Sequence, residues 1–244
     1  VRWTMTERGA AQVERAPHRF RLGPSEVRWR PQPAPGALVF DIDEVAVPWP
    51  QRVRGTVTVR PPAGLTRWTA ALDAHGRHRW GPIAPCARIE VAFDAPRLRW
   101  QGQAYVDGNE GDEPVAAAFS GWDWQRARLA DGSTAVLYDT RLHGGGERLI
   151  AARFAPDGTV APLAPPPRRR PPASRWGIER RARGEADAAP AVRTLEDTPF
   201  YVRSLLQARL HGEAVDAVHE TLDVRRFAAG WVQALLPFRM PRRG

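Results

Sequence analysis

The chain has 244 residues, 43% hydrophobic and 26% charged, with a formal charge of +9, an ordinary balance for one large or two modest globular domains. No run approaches the roughly 20 apolar residues of a membrane-spanning helix, and a single cysteine, Cys86, excludes an intrachain disulfide. All 36 basic residues are arginine, and many alternate with apolar residues, as in Arg97-Leu98-Arg99-Trp100, so the charge argues for weak attraction to anionic lipid rather than for a nucleic-acid surface.

Period-two alternation predicts strands over residues 38–47 (LVFDIDEVAV), 52–59 (RVRGTVTV), 88–93 (RIEVAF) and 97–100 (RLRW). A break at 112–119 (DEPVAAAF) divides this series from a second one. That series opens at Trp122-Asp123-Trp124 and continues over 134–138, 148–154 and 174–180. The expected units are therefore 1–116 and 117–244. Turn signals stand at Pro61-Pro62-Ala63-Gly64, Asp131-Gly132, Gly144-Gly145-Gly146 and Pro156-Asp157-Gly158. The proline-rich 161–172, with Arg168-Arg169-Arg170 inside it, predicts a long solvated loop. Residues 200–227 predict a hairpin about His211-Gly212, with 224–236 returning as a final segment. Turn signals about every ten residues point to an all-β barrel or sandwich.

Two dipeptide-spaced pairs carry the possible chemistry, His78-x-Trp80 and Tyr105-x-Asp107. In a strand, residues i and i+2 project from the same face. In a closed barrel both pairs would line one cavity with an imidazole, an indole, a phenol and an acid. Each residue also has an ordinary structural use. Asp-Gly-Asn is common in turns, His78 can be a packed histidine, and Trp80 and Tyr105 can be core aromatics. Glu110, Asp112 and Glu113 crowd the same stretch, where like charge and an apolar wall would raise a carboxylic acid's pKa; such clusters are also often solvated loops. Gly108 and Asn109 read as turn formers, and Gly111 as a position free to take a positive φ. Cys86 reads as a packed small hydrophobe. His219-Glu220 lacks the second histidine of a zinc HExxH motif, the triple glycine lacks a following Lys-Ser/Thr, and no G-x-S-x-G elbow occurs. No metal or nucleotide cofactor is expected.

These residues lie within a longer pattern. It comprises RWTMTERG (2–9), AALDAHGRHRWGPIAPCARIEV (70–91), GQAYVDGNEGDEPV (102–115), GWDWQRARL (121–129), DGSTAVLYD (131–139), RTLEDTPFYVRS (193–204), VHETLDVRRF (218–227) and LLPFRMPR (235–242). The combination resembles the carotenoid 1,2-hydratases, or hydroxyneurosporene synthases, of the lipocalin-like superfamily. The resemblance implies two tandem lipocalin-like antiparallel β-barrels. Family members carry a further segment ahead of the RWTMTERG stretch, so the first barrel is expected to be incomplete here. It also implies hydration of the terminal C1=C2 bond of acyclic carotenoids such as neurosporene or lycopene, without a cofactor. The family's functional positions fall on His78, Trp80, Tyr105 and Asp107, and Trp122, Trp124 and Asn109 are expected to contact substrate. Because that substrate lives in a bilayer, peripheral contact with a bacterial inner or intracytoplasmic membrane is expected of a chain otherwise cytoplasmic. A polyene cyclase and a non-catalytic carrier of hydrophobic ligands remain alternatives.

Overall fold

The computed structural model describes residues 6–46, 49–186, 190–239 and 242–243. Val47, the expected end of one strand, and 1–5 and 240–241 of the family-like stretches lie outside these residues. Two large antiparallel sheets make up most of the fold, beside two two-residue ladders, Glu7–Arg8 with Arg242–Arg243 and Arg168–Arg169 with Ala182–Arg183. The first holds β1 (Val13–Ala16), β2 (Arg19–Leu22), β3 (Ser25–Arg30), β4 (Ala37–Val45), β5 (Arg52–Arg60), β6 (Ala70–Ala71), β7 (His78–Ala95) and β8 (Arg97–Gly111). Strands β1 to β5 meander, β7 then adds to β5 through Arg54↔Ala95 to Arg60↔Arg88, and β6 adds to the other end of β7. Strand β8 covers the opposite edge of β7, from His78↔Gly111 to Asp94↔Arg97.

A single turn of helix, α1 (Val115–Ala118), leads into the second sheet. It holds β9 (Phe119–Arg128), β10 (Thr134–Leu142), β11 (Glu147–Phe154), β12 (Val160–Pro162), β13 (Ala191–Asp197), β14 (Tyr201–Leu210) and β15 (Glu213–Asp223), in the order β12-β11-β10-β9-β15-β14-β13. The all-β expectation holds. Among the described residues no pairing joins the outer strands of either sheet; of the two barrels expected, the first was expected to be incomplete.

Alternation gives the second sheet two buried faces. Trp124, Val136, Tyr138 and Phe154 pack with Trp80 and Cys86 of the first sheet in one apolar cluster. Leu137, Leu206, Leu210 and Ala217 form another cluster with Leu163 and Ala182 of the segment 161–186, which begins with the proline-rich stretch. That segment is fastened to the sheet by Arg183. Its guanidinium donates from Nε to Asp139 Oδ2 and from Nη2 to Asp139 Oδ1, both at 2.7 Å. Removing a large side chain such as Trp80 or Phe154 from water is worth about 1.5–3 kcal/mol, so the shared aromatic cluster is the main attraction between the sheets. Several of the arginines along the first sheet are cross-strand partners of acids, as in Arg52–Asp43 and Arg19–Glu26.

Four segments depart from expectation, the first being 161–172, expected to be solvated, where Leu163 is buried and Arg168 pairs with Asp139. Residues 97–111 are one continuous strand, because pairing to β7 outweighs the turn preference of Asp-Gly-Asn. Residues 174–180 form a turn rather than a strand. Ser174 N donates to Ile178 O, Ser174 Oγ accepts from Ile178 N, and Gly177 takes φ +70°. Residues 224–236 are helical: α2 (Val224–Phe227) starts where Asp223 Oδ1 accepts from Arg226 N at 3.0 Å, and α3 (Gly230–Arg239) follows.

Candidate active site

The site is built on the β7–β8 hairpin where it meets the second sheet. A turn sets its entry. Asp73 Oδ1 accepts from His75 N (2.7 Å) and Arg77 N (3.2 Å), and Oδ2 accepts from His78 N (2.6 Å). Burial pushes the Asp73 carboxyl up, but these backbone donors outweigh it and hold it below the usual range. From His78 onward alternate residues of β7 face inward. Pro82 is paired with Asp107, so Asp107 shares the face of Trp80 and His78.

Three of the four expected residues meet. Trp80 Nε1 donates to Asp107 Oδ2 at 2.8 Å, and Tyr105 OH donates to the same oxygen at 3.2 Å. Oδ1 makes no hydrogen bond among the described residues. Asp107 is thus not a turn carboxylate serving backbone N–H groups. Trp80 is fully buried, edge-on to Trp68, Tyr138 and Phe154 at centroid distances of 5.8, 5.6 and 6.4 Å. Burial, reinforced by the Asp107 charge, pushes the Tyr105 phenol well above its ordinary range, which keeps its proton in place to donate.

His78 is not brought beside Asp107. Its strand position is four residues from Pro82, roughly 13 Å along the ladder at strand rise. The ring lies edge-on to Phe119 at 4.9 Å, and Nε2 lies 3.7 Å from Glu113 Oε1 without a hydrogen bond. Glu113 in turn accepts from Arg77 Nη1 at 2.6 Å. Gly111 faces the imidazole, and a Cβ there would come within 2.5 Å of Nδ1. Gly111 is in extended backbone within β8, so its purpose is space for His78 and not the positive φ expected of it. Nor do the neighbouring carboxylates gather at Asp107. Glu110 is exposed on the other face of β8, Asp112 is exposed, and Glu113 serves His78 and Arg77.

The second sheet supplies the opposite wall. Trp124 tilts against Tyr105 at 5.4 Å, with its own buried Nε1 unpaired. Trp122 packs against Phe119 and Tyr138 rather than against the acid. Two residues not singled out from the sequence belong here. Tyr138 meets Trp80, and Arg126 sets its Cζ 5.1 Å from the Tyr105 ring centroid. Burial lowers the Arg126 pKa, opposed by Tyr105, Asp107 and Glu220. Arg126 was legible as the i+2 neighbour of Trp124, but only pairing of the sheets sets it on Tyr105. Asn109 is exposed and lines a cavity of roughly 210 Å³ with Trp68 and Ile83; a second, of roughly 330 Å³, lies beyond Trp68 against Cys86 and Phe154. Neither cavity is lined by Asp107 or His78. Cys86 Sγ bonds to Phe154 O at 3.1 Å, and burial raises its thiol. It is a packing residue.

The arrangement is a carboxyl with one oxygen held by two neutral donors and the other free, surrounded by aromatic faces. It can give or take a proton at Oδ1 next to a carbon centre. Among the described residues no three His, Cys, Asp or Glu side chains are grouped to hold a metal ion.

Across its full length, 1–244, the chain matches the family model "Carotenoid hydratase CrtC". It is 50% identical over 243 residues to an acyclic carotenoid 1,2-hydratase of Rubrivivax gelatinosus, covering 99% of this chain and 59% of that one. To the protein of the same name from Thiocapsa roseopersicina it is 48% identical, covering all of this chain and 59% of that one. To that of Cereibacter sphaeroides it is 35% identical, covering 99% of this chain and 85% of that one. The chain thus spans about three-fifths of the length of the first two relatives.

Proposed function

The chain belongs to the carotenoid hydratase family, and from that premise we propose that it adds water across the terminal C1=C2 double bond of an acyclic carotenoid such as lycopene or neurosporene. Asp107 is the general acid. The observation that carries this reading is the pair of donors on Asp107 Oδ2. They are aimed where negative charge grows as a proton leaves Oδ1, which is the arrangement that favours proton transfer. Hydrogen bonds to a charged group are worth about 1.5–3 kcal/mol each, or about ten- to a hundredfold in rate.

In this step the C1=C2 π pair takes the Oδ1 proton at C2, leaving a tertiary cation at C1 and a carboxylate at Asp107. Tyr105 and Trp124 offer ring faces to the cation, each worth about 0.5–2 kcal/mol, while the buried Trp80 holds the acid through its Nε1. Water attacks C1 and sheds a proton, giving a tertiary alcohol. The unpaired Trp124 Nε1, whose ring tilts against Tyr105, is a buried donor available to orient that water, and the proton that the water sheds returns to the Asp107 carboxylate and restores the acid. Asn109, at the mouth of the adjoining cavity, contacts the polyene. No residue in this scheme needs an organic cofactor. The two units, 1–116 and 117–244, contribute the acid and the opposite aromatic wall respectively. Because the polyene is dissolved in a bilayer, the chain works at the surface of a bacterial membrane.

The test is incubation with lycopene in oxygen-18 water, using the wild-type chain and Asp107→Asn. Hydration predicts label in a new tertiary alcohol for the wild type and a loss of at least about a hundredfold in the variant. A label-free cyclised product would instead identify a cyclase, and unchanged bound polyene a carrier. An Asp107→Asn chain that folds and hydrates at the wild-type rate refutes the assignment of the acid.

A further inference from the structure

We propose that α3 and the Trp176 turn form the face that docks this chain on an anionic lipid bilayer. The proposal rests on the reading above only in that a bilayer-dissolved substrate gives the contact a purpose. In α3, Val232 is buried and Leu236 half-buried against the protein. Trp231, Leu235 and Phe238 are 52%, 52% and 71% exposed. Their spacing of four and three residues sets them on one side of the helix. Trp176, 51% exposed, stacks on Trp231 with centroids 6.4 Å and planes 30° apart. The patch is rigidly held. Arg226 Nη1 donates to Trp176 O at 2.6 Å and Nη2 to Gly177 O at 3.3 Å, clamping the turn to α2.

Four large apolar side chains kept in water in one patch mark a contact surface. The surrounding charge selects the partner. From Val224 to Phe238 the sequence has two arginines, Arg225 and Arg226, and no aspartate or glutamate. Arg225 and Arg175 are exposed at the rim. Asp223 caps α2 and pairs with Arg226, and Asp197 accepts from Arg175 N at 2.7 Å; Glu179, three residues beyond Trp176, is exposed. Indole rings favour the headgroup level of a bilayer, and arginines around them attract anionic lipid. Ten residues of helix span only about 15 Å, and among the described residues no helix is long and apolar enough to cross a membrane. The helix therefore lies in the plane of the interface.

The full chain is sedimented with vesicles of phosphatidylglycerol and phosphatidylcholine, and with phosphatidylcholine alone, at low and high salt. Binding is expected to be stronger to the anionic vesicles and to weaken with salt. Leu235→Ser/Phe238→Ser should lower partitioning about tenfold on either vesicle. Arg175→Glu/Arg225→Glu should lower it on anionic vesicles alone and abolish the salt dependence. Far-ultraviolet circular dichroism and urea midpoints confirm that both variants fold. Wild type that ignores anionic vesicles, variants that bind like wild type, or a wild-type dimer abolished by Leu235→Ser/Phe238→Ser without vesicle binding would each overturn the proposal. Hydration of detergent-dispersed lycopene, measured in parallel, separates the two ideas. Vesicle binding without hydration refutes the hydratase reading alone, and hydration without vesicle binding refutes the docking face alone.

Discussion

Replacing Gly111 by alanine measures how tightly the hairpin holds His78. A Cβ at Gly111 would lie 2.5 Å from His78 Nδ1 and 2.9 Å from Cε1, whereas relaxed contact needs about 3.5 Å. The ring must therefore retreat by about 1 Å. It is buried, with Phe119 edge-on at 4.9 Å, so the retreat meets packed atoms. Overpacking of this kind costs about 1–3 kcal/mol. Because Gly111 is already extended, alanine is not strained there, and restricting the unfolded chain returns about 0.5–1 kcal/mol. Gly111→Ala should thus destabilise the wild type by up to about 2.5 kcal/mol. In a His78→Ala background the same change should stabilise by about 0.5–1 kcal/mol, a coupling of about 1–3 kcal/mol across the cycle. Urea unfolding of the four chains, followed by tryptophan fluorescence, measures each corner. An equal effect of Gly111→Ala in both backgrounds would refute the claim that this glycine exists to make room for the imidazole.

Tyr105→Phe leaves Asp107 Oδ2 with Trp80 as its one donor among the described residues; hydration should slow about tenfold or more with the fold intact, and an unchanged initial rate would remove the phenol from the reaction. Asp139→Asn strips the carboxylate from the buried Arg183 and from Arg168. A loss of about 3–5 kcal/mol is expected in urea unfolding, and a loss near zero would mean the segment over the second sheet is held by packing alone. Burial lowers the pKa of His219, which is fully inaccessible, opposed by Asp123 nearby. Below about pH 6.5 the unfolded chain takes up a proton that the folded chain refuses, so stability falls as pH drops from there toward the lower folded value. The slope should shrink in His219→Asn, and an identical pH profile for the two chains would contradict it.

Strand periodicity was legible wherever one face of a strand is wet or the run is strongly apolar. That covered the segments around 38–45, 52–60, 134–142 and 147–154, together with the hairpin about His211-Gly212. Local cues failed where tertiary pairing or a cap decided the outcome. Ser174 and Gly177 close a turn inside an alternating run, and Asp223 starts a helix in a segment that alternates just as well. The family resemblance located the four polar and aromatic residues, and strand spacing set Trp80 beside His78 and Tyr105 beside Asp107 along the chain.

What Asp107 does was beyond the sequence. As a tripeptide, Asp-Gly-Asn is a turn, and only the ladder to residues 78–82 holds it straight and turns the carboxyl toward Trp80. The same ladder carries His78 away from the acid and gives Gly111 its reason. Arg126 and Tyr138 join the site because a second sheet, distant in sequence, lays its aromatic face on the hairpin. Residue types and periodicity are local properties of the chain and can be read from it. Which groups share a hydrogen bond or a ring face depends on long-range register and packing, and those exist only in the folded molecule.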